Sequence, residues 1–462
     1  MVRTGFHALA VGAAAVGLLL FVWLKAAAGI PSFARQAGLS CNACHTLFPE
    51  LTPLGRMFKL GGYVLSKSDK LYEFPPPVAG VLMTSFTHTG KKQPSGSVED
   101  TPANLTDSTT NNFFFLPKAI GGYYGGKIFY KLGALVQGTY SGVDDDFFLD
   151  ITDIRFGTRT AIGGKDRMNM IGVTLNNTPS LEDVWNSTPA WGFPHEMSDV
   201  APTPAAAVLI DGGLDQQVGG LGAYYYWNDL IYAGVTVYRT ADHGIAEFLG
   251  VGTPTDTVVD GLAPYWRVAL QHKWGKHSLE VGTFGIVADV FPEGREDGPT
   301  DRFTDIALDA QYQYITGKFM LTAQTALIHE EQDLDASFAL GNAANRSNDL
   351  DTFKVNVNAY YRSSFGLVGG SVGYFRTTGN DDAGLYAPSP VDGSRTGSPD
   401  SDGFILEADY LPFGGHRKFF SPRFTLQYIL YNEFNGSDDN YDGFGRDASD
   451  NNTLFFLVWM MF

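Results

Sequence analysis

The chain has 462 residues, too many for one ordinary small domain but suited to a single large barrel with a small appendage. Aromatic residues at 14% and 54 glycines are high, while charged residues at 18% are low beside the quarter or so usual in soluble proteins. With 32 basic against 50 acidic residues the formal charge is −18, which argues against nucleic-acid binding and favours attraction of cations; acidic loops that merely keep an exported protein soluble would give the same balance.

The N-terminus carries Arg3, an apolar run over residues 8–24, and then Ala26-Ala27-Ala28, small residues of the kind a signal peptidase needs. The expected reading is a signal peptide over residues 1–28, cleaved after Ala28; a retained membrane anchor is the alternative. No later stretch is long and apolar enough for a transmembrane helix, so a place in a membrane requires strands.

Residues 29–78 form a short segment that ends in the stiff connector Glu73-Phe74-Pro75-Pro76-Pro77. It contains the chain's only two cysteines, in Cys41-Asn42-Ala43-Cys44-His45. C-x-x-C-H is the pattern of c-type haem attachment: two thiols add to the haem vinyl groups and the adjacent histidine coordinates the iron. A zinc site needs two further ligands nearby, and a thioredoxin-like pair needs a surrounding βαβ unit; neither context is present. One covalent haem c on Cys41, Cys44 and His45 is therefore expected. For the distal axial position Met57 is nearest, in a helix that starts at Thr52-Pro53. A core methionine is the alternative reading of Met57, and Met83 and His88 on the first strand are further candidates. About fifty residues is close to the lower limit for independent folding, so the haem and a neighbouring wall must supply core. This predicts a plug lodged at or inside the barrel mouth.

Residues 79–462 read as an outer-membrane barrel, all-β and antiparallel, with about sixteen strands. Runs of about ten residues alternate with period two between Gly, Asn and Asp clusters. Phe353, Val355, Val357, Ala359 and Tyr361 alternate with Lys354, Asn356, Asn358 and Tyr360; Ile306 and Leu308 alternate with Asp305 and Asp309; Val268 and Leu270 alternate with Arg267 and Gln271. A soluble sandwich would alternate too. Connection lengths decide for the barrel. The tight links Asn228-Asp229, Gly275-Lys276, Thr316-Gly317 and Ser364-Phe365 alternate with long acidic loops, which predicts short turns at one end and long loops at the other. A slip in the alternation at Asp153 predicts a bulge there. Residues 452–462 end on the apolar row Leu454, Phe456, Val458, Met460 and Phe462, which must be paired, since so greasy an open edge would aggregate.

The run Phe33-Ala34-Arg35-Gln36, the haem motif, Phe48-Pro49-Glu50-Leu51, Gly55-Arg56-Met57-Phe58-Lys59 and Gly61-Gly62-Tyr63 resembles the fused monohaem cytochrome–porins of iron-oxidising bacteria. The motif resemblance covers residues 33–63; over the barrel it is architectural. It implies an iron(II):cytochrome c oxidoreductase type of activity in the bacterial outer membrane. One electron would pass from extracellular Fe(II) through the haem to a soluble periplasmic c-type cytochrome, with the acidic loops outside.

Those loops contain Asp144-Asp145-Asp146, Glu330-Glu331 with Asp333 and Asp335, Asp381-Asp382, and Asp438-Asp439 with Asp442. Carboxylates suit ferrous iron, and a negative mouth would concentrate cations; solvated loop charge explains each cluster equally well. Asp438-x-Asn440-x-Asp442-Gly443 matches the first half of a calcium loop, but Ser449 stands where a bidentate glutamate belongs. His195 with Glu196 is a conceivable metal pair. No nucleophile triad or phosphate-binding glycine loop is present, so hydrolase and nucleotide-dependent functions fall away.

Overall fold

The computed structural model describes residues 30–64, 76–93, 110–162, 169–240, 257–294, 296, 298–414 and 420–462. The expected signal peptide and most of the connector lie outside the described residues. Two short helices come first, α1 (Pro31–Ala37) and α2 (Pro53–Leu60). The strands follow as β1 (Val78–Thr89), β2 (Asn112–Phe129), β3 (Leu132–Ser141), β4 (Asp146–Arg159), β5 (Met170–Asn176), β6 (Gly219–Trp227), β7 (Ile231–Arg239), β8 (Val258–Asp260) and β9 (Ala263–Trp274). The series continues with β10 (His277–Phe291), β11 (Asp301–Ile315), β12 (Phe319–Asp333), helix α3 (Asp335–Leu340), β13 (Ser347–Ser363), β14 (Gly366–Gly379), β15 (Ser401–Leu411), β16 (Ser421–Glu433) and β17 (Thr453–Met461).

The strands form one antiparallel sheet closed on itself by pairing of β1 with β17. β8 and β9 both pair with β10, at different heights, and are two pieces of one stave. The break falls at Gly261, whose φ of 68° suits glycine. The barrel therefore has sixteen staves, as expected. Closure is completed at the last residue, where Gly80 N donates to Phe462 O at 2.7 Å and Phe462 N to Gly80 O at 2.9 Å. Among the described residues no backbone edge is left open, which is what lets a sheet sit in hydrocarbon.

The alternation resolves into an exterior of apolar side chains and an interior of polar ones. Leu308 is 60% exposed and Leu270 53% exposed, whereas Asp309, Arg267 and Gln271 beside them are buried. A soluble protein would place these the other way round, so the outer face is a surface for lipid. At the end carrying the tight turns, outward aromatics gather: Trp274 stacks on His277 with centroids 5.3 Å apart, and Tyr314 lies 4.8 Å from His277. This is an interfacial girdle. Both barrel termini lie at this turn end. One bulge falls elsewhere than expected. The β3–β4 register shifts where Gln137 pairs Ile151 and Gly138 pairs Leu149, so the extra residue is Asp150 and not Asp153. Asp153 is regularly paired and buried because it serves Arg155 inside the barrel.

Between β5 and β6, residues 177–218 turn inward instead of extending outward and fill the lumen. Leu181, Val184, Trp185, Val208 and Leu214 on this inner loop are all buried. The loop is held by the wall's charges: Arg267 donates to Asp183 at 3.2 Å, to Glu280 at 3.1 Å and to Asp309 at 2.6 and 2.8 Å.

Candidate functional site

Residues 30–64 lie inside the turn end of the barrel, beneath the inner loop. α1 begins with Pro31, whose fixed φ suits the first helical position, and stops at Gly38 in the left-handed region with φ 68°. A single 3-10 turn, Cys41–Ala43, follows, and His45 N donates to Cys41 O at 2.9 Å, so both cysteines and the histidine sit on one tight turn. Thr52 then ties the next element to that turn. Its hydroxyl caps α2 by accepting from Gly55 N at 3.3 Å and donates to Ala43 O at 2.7 Å, while its N–H donates to Cys44 O at 2.9 Å. Gly55 makes the approach possible, because a Cβ there would lie 2.2 Å from the Cys44 carbonyl oxygen.

Cys41, Cys44 and His45 line one apolar cavity. Phe33, Phe58 and Tyr63 form an aromatic cluster on its wall, with centroids 5.0 to 5.9 Å apart. Trp191 from the inner loop and Leu135 from β3 complete the wall, so plug, loop and barrel share one enclosure. The two thiols form no disulfide. His45 Nδ1 is buried without a hydrogen-bond partner, and burial pulls the imidazole pKa down to about 4, against the carbonyls of Pro49 and Glu50. A neutral imidazole is the form that ligates iron. Two thiols at attachment spacing, an orphaned buried imidazole nitrogen and an apolar cavity beside them fit a covalent haem.

The plug is keyed to the wall and to the inner loop by polar contacts. Arg56 donates to Gln271 at 2.8 Å and also to Gln313; Lys59 Nζ donates to Leu181 O and Asp183 O, each at 2.7 Å. Burial pulls the Lys59 ammonium down to about 7. Tyr63 donates to Asp153, which also accepts from Arg155 at 2.8 Å and from Thr174 at 3.1 Å, and Arg423 donates to Phe48 O at 3.1 Å. Glu50 accepts from Thr46 at 2.7 Å and from Asn358.

The expected distal ligands are placed otherwise. On α2 the cavity-facing residues are Gly55, Phe58 and Lys59; Met57 lies off that stripe and packs with Leu51 beside Leu60 and Trp185. Met83 points inward from β1 but packs with Trp459 and Phe455 and does not line the cavity. His88 pairs with Leu454 near the loop end and bonds Asn112 at 2.9 Å. His195 and Glu196 do not act as a pair: Glu196 meets Lys118 at 3.3 Å, whereas His195 is stacked between Trp191 at 6.2 Å and Trp459 at 5.8 Å. His195 also meets the Phe48 ring at 5.5 Å, and Phe48 lies 5.4 Å from His45. No sequence signal announced this stack, because it joins three distant parts of the chain.

The acidic clusters are largely spoken for. Glu330, Glu331 and Asp333 belong to β12 and not to a loop, and Glu330 is buried inside the barrel, accepting from Leu209 N. Asp382 accepts N–H groups from Ala344, Asn345, Gly384 and Leu385 and so clasps two loops together. Asp442, in the calcium-like stretch, accepts from Val391, Phe444 and Arg446 N–H groups, and Asn440 accepts from Gly445. Among the described residues no group of three or more His, Cys, Asp or Glu is gathered to hold a metal ion.

No protein-family model matches the chain, and no curated protein matches it. Solved structures similar to it are bacterial outer-membrane barrels. OmpT of Vibrio cholerae is 9% identical, over 83% of this chain and 96% of that one, with a TM-score of 0.43. The anion-selective porin of Comamonas acidovorans is 12% identical over 83% and 98%, with a TM-score of 0.45. OprB of Pseudomonas putida is 12% identical over 83% and 92%, with a TM-score of 0.44.

Proposed function

We propose that this chain is an outer-membrane electron-transfer protein that takes one electron from extracellular Fe(II) and passes it to a periplasmic c-type cytochrome. The observation that carries this reading is the enclosure of Cys41, Cys44 and His45 in one apolar cavity inside a closed, lipid-facing barrel. Cys41 and Cys44 would hold a haem by thioether bonds and His45 would ligate its iron; when bound, the haem supplies a one-electron couple. The residues around it do the rest. Phe33, Phe58, Tyr63 and Trp191 exclude water, and Arg56, Lys59 and Tyr63 fix the plug in the wall so that the site is held within the membrane's thickness. In this reading the turn end faces the periplasm and the long acidic loops face outward. Ferric iron precipitates near neutral pH, so an arrangement that leaves the metal outside and imports only its electron has a chemical rationale. A plain diffusion pore would be obstructed at the turn end, where the plug occupies the barrel mouth.

The test is anaerobic stopped-flow absorbance of the oxidised, detergent-solubilised haem protein mixed with Fe(II), with a Cys41→Ala/Cys44→Ala variant as control. Rapid appearance of the reduced-haem spectrum is expected. A haem that dithionite reduces but Fe(II) does not would overturn the iron assignment.

A further inference from the structure

The lumen above the haem-binding cavity is not solidly filled. Three cavities lie along the wall formed by β12 to β16, two side by side and one beneath them. One of the upper pair, of about 1130 Å³, lies between the inner loop and β13 to β16. The other, of about 670 Å³, reaches Gln324 and Asn186, and beneath the pair a narrow third cavity runs beside Glu50 and His195. Met197, on a loop folded inside the barrel, lines both of the upper pair and is 39% exposed. Their order in depth follows from β13. Its inward side chains descend as Lys354, Asn356 and Asn358; the first two line the upper pair of cavities and the third lines the lowest. The lowest cavity then shares Phe48, Pro49 and Trp191 with the cavity of the C-x-x-C-H turn. The three therefore run from the loop end to the haem motif.

Phe193 lines all three cavities. Its ring rests on Gly373, where a Cβ would lie 2.7 Å from a ring carbon, so the wall is hollowed at that point to seat it. Around the ring the amides and hydroxyls of Ser187, Thr188, Gln324 and Asn356 are set among apolar groups such as Ala326 and Ile328, and the charges of Lys354 and Asp211 are spent on each other. Those amides and hydroxyls can replace water of hydration without holding an ion fast.

We propose that these cavities form a passage for small hydrated solutes from the loop end to the haem-side cavity, and that Phe193 is its gate. That the solute is ferrous iron rests on the function proposed above; the passage itself does not. An aquo ion fits the polar lining, and a metal held in a bulky chelate is excluded by the ring.

The passage is tested by the accessibility of a cysteine placed below the gate. In the solubilised holoprotein the native cysteines are taken up by the haem, so Ser371→Cys in the lowest cavity presents the one reactive thiol. Its labelling by a small charged methanethiosulfonate reagent is expected to accelerate about tenfold with Phe193→Ala and to slow about tenfold with Phe193→Trp. Thr377→Cys, in the upper cavity, is expected to label quickly whatever stands at position 193. Should Ser371→Cys label at one rate in all three backgrounds, the gate is wrong; the Phe193→Ala arm decides this even if the tryptophan variant fails to fold. The same variants are then mixed with aquo Fe(II) and with chelated Fe(II). Gated labelling without haem reduction by Fe(II) in any variant would keep the passage and reject iron as its cargo, whereas reduction by aquo Fe(II) that follows the labelling rates supports both.

Discussion

The two halves of the lumen are filled by different physics. At the turn end the filling is a separate N-terminal segment whose centre is apolar and aromatic and whose polar contacts tie it to the wall and to the inner loop. At the loop end the filling is a connection between two strands, held by a buried guanidinium facing three carboxylates. The first encloses an apolar space, which the proposed haem would need; the second has only to stay in place. Buried ion pairs position a loop well, because breaking one costs far more than forming it gains. Apolar enclosure cannot position so sharply, but it keeps water from a redox centre.

The largest expected effect comes from emptying the turn end. Cys41→Ala/Cys44→Ala should abolish covalent haem entirely, seen as loss of haem peroxidase staining after denaturing electrophoresis, while the barrel still assembles and shows heat-modifiable migration. Loss of the barrel as well would mean that the two halves are not independent. Next in size is the loop end. Arg267→Met leaves Asp183, Glu280 and Asp309 buried without their cation and should cost ~3–5 kcal/mol. It is read as new protease cleavage within residues 177–218, with haem still attached.

A smaller effect is expected from Gly55→Leu, which must push α2 off the Cys44 carbonyl and costs about 1–3 kcal/mol by overpacking. Its signature is a lowered haem-to-protein ratio with the inner loop still protected. The smallest is at the calcium-like stretch. Because Asp442 and Asn440 already satisfy backbone N–H groups, removing divalent ions with a chelator should move the thermal midpoint by less than about 1 °C. A shift of several degrees would show that a cation displaces those amides.

The chain's own pattern determined a good deal. Period-two alternation needs only neighbours in sequence, so strands such as β11 and β13, their lipid-facing sides and the end carrying tight turns were all legible, and an even count of sixteen follows from them. The C-x-x-C-H turn is equally local, and the structure puts its three side chains on one cavity. What needed the tertiary structure was every contact between distant segments. Whether residues 177–218 extend outward or fold inward depends on the complementarity of Asp183 with Arg267, 84 positions away. Glu330 reads as loop charge until β12 proves long enough to carry it inside, and Asp153 reads as a bulge until Arg155 and Tyr63 are seen to need it. Met57 is near the haem motif in sequence, but helix geometry turns it from the cavity and turns Phe58 and Lys59 towards it. Local periodicity decides which side of a wall a residue occupies; only the closed barrel decides what it meets there.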